Sequence, residues 1–327
     1  MSIQAIKMHF RDGLHIGRGA EELDKTATTY SSDALKSALF AVGLAYYPEW
    51  ADDEKVFFEG FRISSAFPFC GETYFLPKPG GMTFKFTLSD DLTEAKQAKK
   101  ISFVSSAIFT QWAKAPDDEL TVDEKQIGDG AFLFDNANDA KKFLYTTVQQ
   151  RVAVPAEGGG DTTPYYFERM FFSGGAGLYF MIDFMDENLR QQVMHALRLL
   201  ADAGIGTDRA VGNGQFTIKE PAPFNVPNAN NKGMRMALGL YLPTRDELSA
   251  IDLERSSWSL VKRGGYMAAS EQDEFRSLRK NSIYFFGEGS AFKTPSLLEG
   301  SYVDLKPDYN ASLHPVWRCG MPIFINL

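Results

Sequence analysis

Gly204-Ile205-Gly206-Thr207-Asp208-Arg209-Ala210-Val211-Gly212-Asn213-Gly214-Gln215-Phe216 is the stretch on which the fold turns. Four glycines in so short a span permit positive φ angles and close approach of the backbone to a ligand. Amides exposed by such a loop can cradle phosphate. Before it, Asp186 to Ala203 carries Leu189, Val193, Leu197 and Leu200 at helical spacing, and Gly204 stands where that helix stops. After it, Gln215 to Ile218 has strand character. The loop therefore runs from helix to strand. A dinucleotide fingerprint runs the other way, from strand to helix, and the Gly-Lys-Ser/Thr ending of a P-loop is missing. Asp208 offsets Arg209, so backbone geometry rather than bulk charge is expected to do any binding.

Working outward, Ile3 to Phe10 reads as a first strand and Gly13 to Gly19 as a flexible loop. Ser31-Ser32-Asp33 offers cap chemistry before a helix over 34–42, with Leu35, Leu39 and Val42 at helical spacing and Pro48 beyond its end. Phe61 to Gly81, rich in Phe and Pro, reads as extended. Tyr165 to Phe172 and Gly177 to Phe184 read as strands paired through Ser173-Gly174-Gly175. In the second, Leu178, Phe180, Ile182 and Phe184 alternate with Tyr179, Met181 and Asp183, which predicts a half-buried strand. The order βα…ββαβ is that of an α+β, ferredoxin-like domain. Pro221 to Lys232 is a Pro- and Asn-rich linker. Past it, Met234 to Leu242, Asn281 to Phe286 and Met321 to Asn326 are strand-like. The division expected is 1–226 for a first domain and 227–327 for a smaller α+β domain.

A chain of 327 residues with 44% apolar side chains has material for two packed cores. Its net charge of −8 is unpromising for a nucleic-acid binder. The distribution weakens that objection. Residues 1–226 carry a net −9 and residues 227–327 a net +1, and Ala115 to Asp139 alone holds eight acids against Lys125. Elsewhere the chain is near neutral, which leaves room for a local basic groove. Cys70 and Cys319 form neither a metal motif nor a disulfide framework and are read as inert thiols. No metal cluster and no cofactor is expected. No cleavable leader pattern and no long apolar run is seen, so a soluble, cytoplasmic protein is expected, with no membrane partner.

Several segments, taken in order, resemble one family. The glycine-rich loop before a last strand resembles the RAMP superfamily of CRISPR proteins. Leu14-His15-Ile16-Gly17 with Ser32-Asp33-Ala34-Leu35, Ser64 to Pro68, and Tyr74 to Pro79 resemble its early segments. Val261-Lys262-Arg263-Gly264-Gly265-Tyr266, Arg279-Lys280 with Phe285 to Ser290, and His314 to Gly320 resemble its second domain. Together they look like the 5′-handle-binding subunit of type III-A Csm complexes, and the match spans nearly the whole chain. The resemblance implies two ferredoxin-like (RRM-like) domains with a β-hairpin thumb, for which Arg151 to Phe167 is the candidate. It implies a non-catalytic subunit gripping the 5′ handle of the CRISPR guide RNA. Implied partners are that guide RNA, the large palm-domain effector subunit, a backbone RAMP subunit, and target RNA near the handle junction. The acidic segment departs from a simple RNA-binding picture.

The RNA-binding candidates are His15, Gly17, Lys36, Arg151, Gly204, Gly206, Arg209, Gly212, Gly214, Lys262, Arg263, Gly264, Gly265, Tyr266, Arg279 and Lys280. Arg209 suits phosphate or base stacking. Lys262 and Arg263 before Tyr266 make a basic and aromatic cluster suited to a single strand. Lys36 reads more simply as a solvated helix residue. His15 keeps open a rival, a guide-processing endoribonuclease whose histidine acts on the ribose 2′-OH. The other rival is the equivalent handle-binding subunit of a type III-B complex.

Overall fold

The computed structural model describes residues 3–17, 22–87, 91–114, 119–153, 162–226, 233–267, 275, 277–308 and 313–327. The organising strand is Gln4–Phe10, joined on one side by Phe216–Ile218 and on the other by Ala176–Phe184, which also pairs with Phe67–Cys70. All these pairings are antiparallel. In chain order, the strands stand fourth, first, third, second across the sheet. The sheet continues through Thr73–Pro77 and Phe103–Ser105 to Phe132–Leu133 and Ile127–Gly128.

Two helices pack together on this sheet, Ser32–Gly43 and Arg190–Ala203. Leu189, Val193, Leu197 and Leu200 form the apolar stripe of the second and are at most 4% exposed. They share a core with Leu35, Leu39, Ile6, Met8, Leu178 and Phe180. Gly204 ends the helix at φ +80°. The Phe-rich stretch is buried rather than merely extended: Phe61, Phe67, Phe69 and Phe75 are 0% exposed. Each such side chain gives about 1.5–3 kcal/mol of burial free energy.

Two expectations are corrected here. Ala176–Phe184 is buried on both faces, with Tyr179 and Met181 at 0% exposure alongside Leu178 and Phe180. Leu178 and Phe180 meet the helices, while Tyr179 and Met181 enter a second core with Met236, Leu238, Ile323 and Ile325 from the C-terminal part. Alternation marks a half-buried strand only when one face meets water. Nor does Thr163–Phe172 pair with Ala176–Phe184. Its partner is Leu144–Ala153, in an unbroken antiparallel ribbon from Leu144↔Phe172 to Ala153↔Thr163. The glycine turn redirects the chain into the main sheet instead of closing a hairpin. Asp129 of the acidic segment seats the ribbon's base, accepting from the amides of Phe143 (2.9 Å) and Leu144 (3.1 Å). The glycines expected at the ribbon's tip, 158–160, lie outside the described residues.

The C-terminal part builds a four-stranded sheet, Asp252–Ser257, Ala291–Lys293, Met234–Ala237, Phe324–Asn326. Its strands again stand second, third, first, fourth in chain order. The short helix Arg245–Ala250, with a capping box from Thr244 and Glu247, links the first two. Two ribbons accompany it, Leu260–Arg263 with Ile283–Phe286 and Ser301–Asp304 with Trp317–Gly320. This part is stitched to the first. Ser65 N donates to Leu238 O (2.8 Å), Leu240 N to Ser32 Oγ (2.9 Å), and the second ribbon packs on the helix Ser32–Gly43. Both cysteines are buried and free, and burial pushes the Cys70 thiol up.

Candidate nucleic-acid interface

The glycine loop is folded back on the first loop of the chain. Thr207 N donates to His15 O (3.0 Å), Gly214 N to Gly13 O (2.9 Å) and Ile205 N to Gly214 O (3.0 Å). This close approach explains two glycines. A Cβ at Gly206 would sit 2.3 Å from His15 O, and one at Gly214 would sit 1.9 Å from Ile205 O, both at positive φ. The amides of Gly204, Val211 and Gly212 are also held within the loop and its helix. Six of the loop's amides, those of Gly204, Ile205, Thr207, Val211, Gly212 and Gly214, are thus turned to internal acceptors. Outward the loop presents Thr207, Arg209, Ala210 and Val211, of which Arg209 carries the charge.

Opposite this loop stands the C-terminal part. Gly204, Gly206 and Arg209 line a hollow of about 430 Å³ together with Tyr266, Lys280 and Arg318. An adjoining hollow of about 460 Å³ is lined by Gly17, Gly206, Lys262, Arg263 and Glu288. Tyr30, Ala34 and Gly206 border both. The N-terminal end of the helix Ser32–Gly43 forms the ridge between them. Eight of the candidates, from distant points in the sequence, thus meet along one groove: Gly17, Gly204, Gly206, Arg209, Lys262, Arg263, Tyr266 and Lys280.

Asp33 organises the charges. It is 0% exposed, with Arg263 Nε 2.9 Å and Arg318 Nε 3.5 Å from the same carboxylate oxygen. Burial alone would raise its pKa, but the two guanidiniums hold it below the ordinary carboxylate range. Arg263 is anchored through Nε by this pair, while its side chain keeps 28% exposure in the lining of the groove. Lys280 is pushed down to about 8 by burial and then by Arg318 and Arg263. Burial raises Glu288, which accepts from Ser65 Oγ at 2.7 Å.

The other candidates lie elsewhere. Lys36, expected on the helix surface, is 1% exposed, and Nζ donates to Phe58 O (2.8 Å) and Phe61 O (2.5 Å) with the Phe61 ring 4.1 Å away. Its pKa is pushed down to about 8 by burial. It pins the segment behind the helix and does not reach the groove. His15 is also corrected: its ring is 0% exposed, Nδ1 lies 2.7 Å from Glu168 O, and it stacks on Phe167 at 4.5 Å. Arg151 pairs with Asp208, a left-handed residue of the glycine loop, and lies over Phe167, so the ribbon docks on the loop. Arg279 stacks on exposed Tyr266, with Nη2 donating to its hydroxyl at 3.2 Å. Gly212 is at φ +85° with open space around it. Gly264 abuts Ser282, and Gly265 takes φ +93°.

Residues 230–327 match the family described as the CRISPR Csm4 C-terminal domain. A Csm4 protein of Mycobacterium tuberculosis is 29% identical over 314 residues, covering 94% of this chain and 93% of its own. Along nearly its whole length the chain is thus similar to Csm4 proteins, and its C-terminal part matches their family. Its fold is shared with a solved Csm3–Csm4 subcomplex of the type III-A interference complex, at TM-score 0.68 and 19% identity over 100% of this chain and 99% of that one. A Csm1–Csm4 cassette solved with cA4 aligns at TM-score 0.63 and 19% identity, over 100% and 98%. Within this Csm4-like chain, sequence reasoning missed Asp33, Tyr30 and Arg318 as groove residues. Arg318 stood in a quoted motif, and a guanidinium inside the strand Trp317–Gly320 beside a buried cysteine was the available signal. Asp33 looked like a helix cap, and nothing local reveals a carboxylate whose partners lie more than two hundred residues away.

Proposed function

We propose that this chain is the RNA-binding subunit of a type III-A Csm interference complex and holds the 5′ handle of the guide RNA in the groove just described. The observation that carries this is the convergence of Arg209, Lys262, Tyr266 and Lys280 along one open groove, in a chain whose net charge is −8. Exposed cations beside an exposed aromatic suit a single strand, whose phosphates are neutralised and whose bases stack. The solved Csm4 relatives with Csm3 and with Csm1 support two protein contacts, read here as the backbone RAMP subunit and the large palm-domain subunit. The strand order fourth, first, third, second in both parts favours two ferredoxin-like domains, 1–226 and 227–327. Their shared core makes them one packed body rather than two separate ones. The ribbon Leu144–Ala153 with Thr163–Phe172 is the thumb, placed beside the groove by Arg151 and Asp208 to act on target pairing at the handle junction. A structural rather than catalytic role fits the burial of His15, whose ring has no solvent face to offer a 2′-OH. Among the described residues no helix is long and apolar enough to cross a membrane, in keeping with a cytoplasmic complex.

Photocrosslinking tests this reading. Handle RNA carrying 4-thiouridine, bound to the complex, is expected to crosslink to peptides containing Arg209 and Lys262–Tyr266. Crosslinks confined to other surfaces would move the RNA elsewhere. Metal-independent cleavage of repeat RNA that disappears in His15→Ala would replace a structural role with an enzymatic one.

A further inference from the structure

The hollow of about 430 Å³ combines cations and apolar side chains in its lining. Arg209, Lys280 and Arg318 line it, and among the described residues no carboxylate does. Ala34, Ala38 and Ala41 of the helix Ser32–Gly43 line it too, with Trp317. Arg318 is fixed in place. Nη1 donates to Ser37 Oγ (2.8 Å) and to Trp317 O (3.0 Å), and Nε faces Asp33 at 3.5 Å. Lys280 makes no salt bridge among the described residues. Asp33 faces Arg263 and Arg318, and Glu288, whose carboxyl burial pushes toward the neutral form, stands on the Arg263 side, so Lys280 and Arg318 leave positive charge incompletely compensated at this hollow. Such charge is unfavourable until an anion sits beside it. The volume falls within the range of small-molecule sites. Alanine side chains leave a shallow, flat wall, and the indole is half-buried.

We propose that this hollow takes one whole nucleotide of single-stranded RNA, its phosphate held by Lys280 and Arg318 with Arg209 at the rim, and its base lying along the alanine face of the helix against Trp317. The proposal rests on the RNA-binding reading and adds to it a specific receptor for one unstacked nucleotide. Asp33 acts as a positioning residue, holding Arg318 in register for the phosphate. Titration supplies a signature. Burial, Arg318 and Arg263 lower Lys280 to about 8, with Asp33 opposing them. A bound phosphate favours the ammonium, so binding takes up a proton near that pH. Affinity is then full below about pH 8 and falls as pH rises through it.

The test titrates the purified full chain with handle RNAs carrying 2-aminopurine at one position at a time. Wild type, Ala38→Leu, Lys280→Met and Lys280→Arg are compared, each first shown to melt like wild type. If Ala38→Leu does not fold, Ala41→Leu takes its place. In wild type, one position alone should give an unstacked, protein-contacted signal. Ala38→Leu should abolish it, and Lys280→Met should weaken binding about tenfold. Lys280→Arg should keep the affinity and remove the fall above pH 8. Handle binding that depends on Arg209 and Lys262 but ignores both Ala38→Leu and Lys280→Met overturns the nucleotide site and leaves the groove standing. A wild-type chain that binds no RNA overturns both.

Discussion

Replacing Asp33 by Asn keeps the shape of a fully buried side chain and removes its charge. Arg263 and Arg318 then face each other across a neutral amide. Removing one partner of a buried ion pair costs about 3–5 kcal/mol, because the remaining charge is desolvated without compensation. Here the side chains of Arg263 and Arg318 keep 28% and 17% exposure, so water relieves part of that penalty. The expected loss is therefore at the lower end, about 3 kcal/mol. Urea denaturation followed by tryptophan fluorescence reads it as a lowered midpoint. A double-mutant cycle with Arg263→Met isolates the pair, and a coupling of about 1–3 kcal/mol is expected for residues in direct contact. The pH dependence has a definite sign. Asp33 titrates below its ordinary 3.8 in the folded chain. Its stabilisation is thus complete above that value and is lost as pH falls through the lower, folded one. In Asp33→Asn this part of the acid sensitivity should be missing. A variant within about 0.5 kcal/mol of wild type, the range of ordinary surface substitutions, would show that Asp33 does not hold the two parts together.

Three further outcomes follow from the same geometry. Gly206→Ala should cost stability and handle affinity, because its Cβ meets His15 O at 2.3 Å, whereas Gly212→Ala carries only the strain of positive φ, about 1–2 kcal/mol; calorimetry that ranks Gly212→Ala as the worse would contradict the loop's packing. Lys36→Met leaves the Phe58 and Phe61 carbonyls without their donor, an expected loss of about 1–3 kcal/mol each way of counting the buried acceptors, yet handle affinity measured by filter binding should change less than about twofold. Replacing residues 153–163 by a short Gly-Ser link should leave handle affinity within about threefold but alter chemical probing of the nucleotides next to the handle in the assembled complex, and unchanged probing would make the ribbon a docking element for a partner instead.

Local chemistry carried much of the fold into view. The helix Arg190–Ala203 was legible from four apolar residues at helical spacing, and its end from Gly204. The first strand and the helix after it were equally clear, since their periodicity is set by one core. Partners across distance were not. Thr163–Phe172 looked able to pair with the strand that follows it, because a glycine turn between two apolar runs is a hairpin signal. Its true partner begins at Leu144, in a stretch where Thr146, Thr147, Gln149 and Gln150 dilute the apolar signal. In the site, the glycine loop, Lys262 and Tyr266 could be singled out by composition. Lys36 and His15 could not be told apart from surface residues, for burial of a polar side chain depends on what the rest of the chain brings to it. Asp33 shows the same limit from the other side. A residue that reads as a helix cap becomes the counter-charge of two arginines only after the C-terminal part has docked.

The salt dependence of handle binding bears most directly on the groove. Single-stranded RNA releases counterions with a slope of about −0.7 per phosphate contact in a plot of log affinity against log salt. With two to five contacts from Arg209, Lys262, Lys280 and their neighbours, the wild-type slope should lie between about −1.4 and −3.5. Arg209→Ala combined with Lys262→Ala removes two of those contacts, so the slope should become shallower by about 1.4 as affinity falls. A double variant that binds the handle with the wild-type affinity and the wild-type slope would mean that the RNA does not lie in this groove.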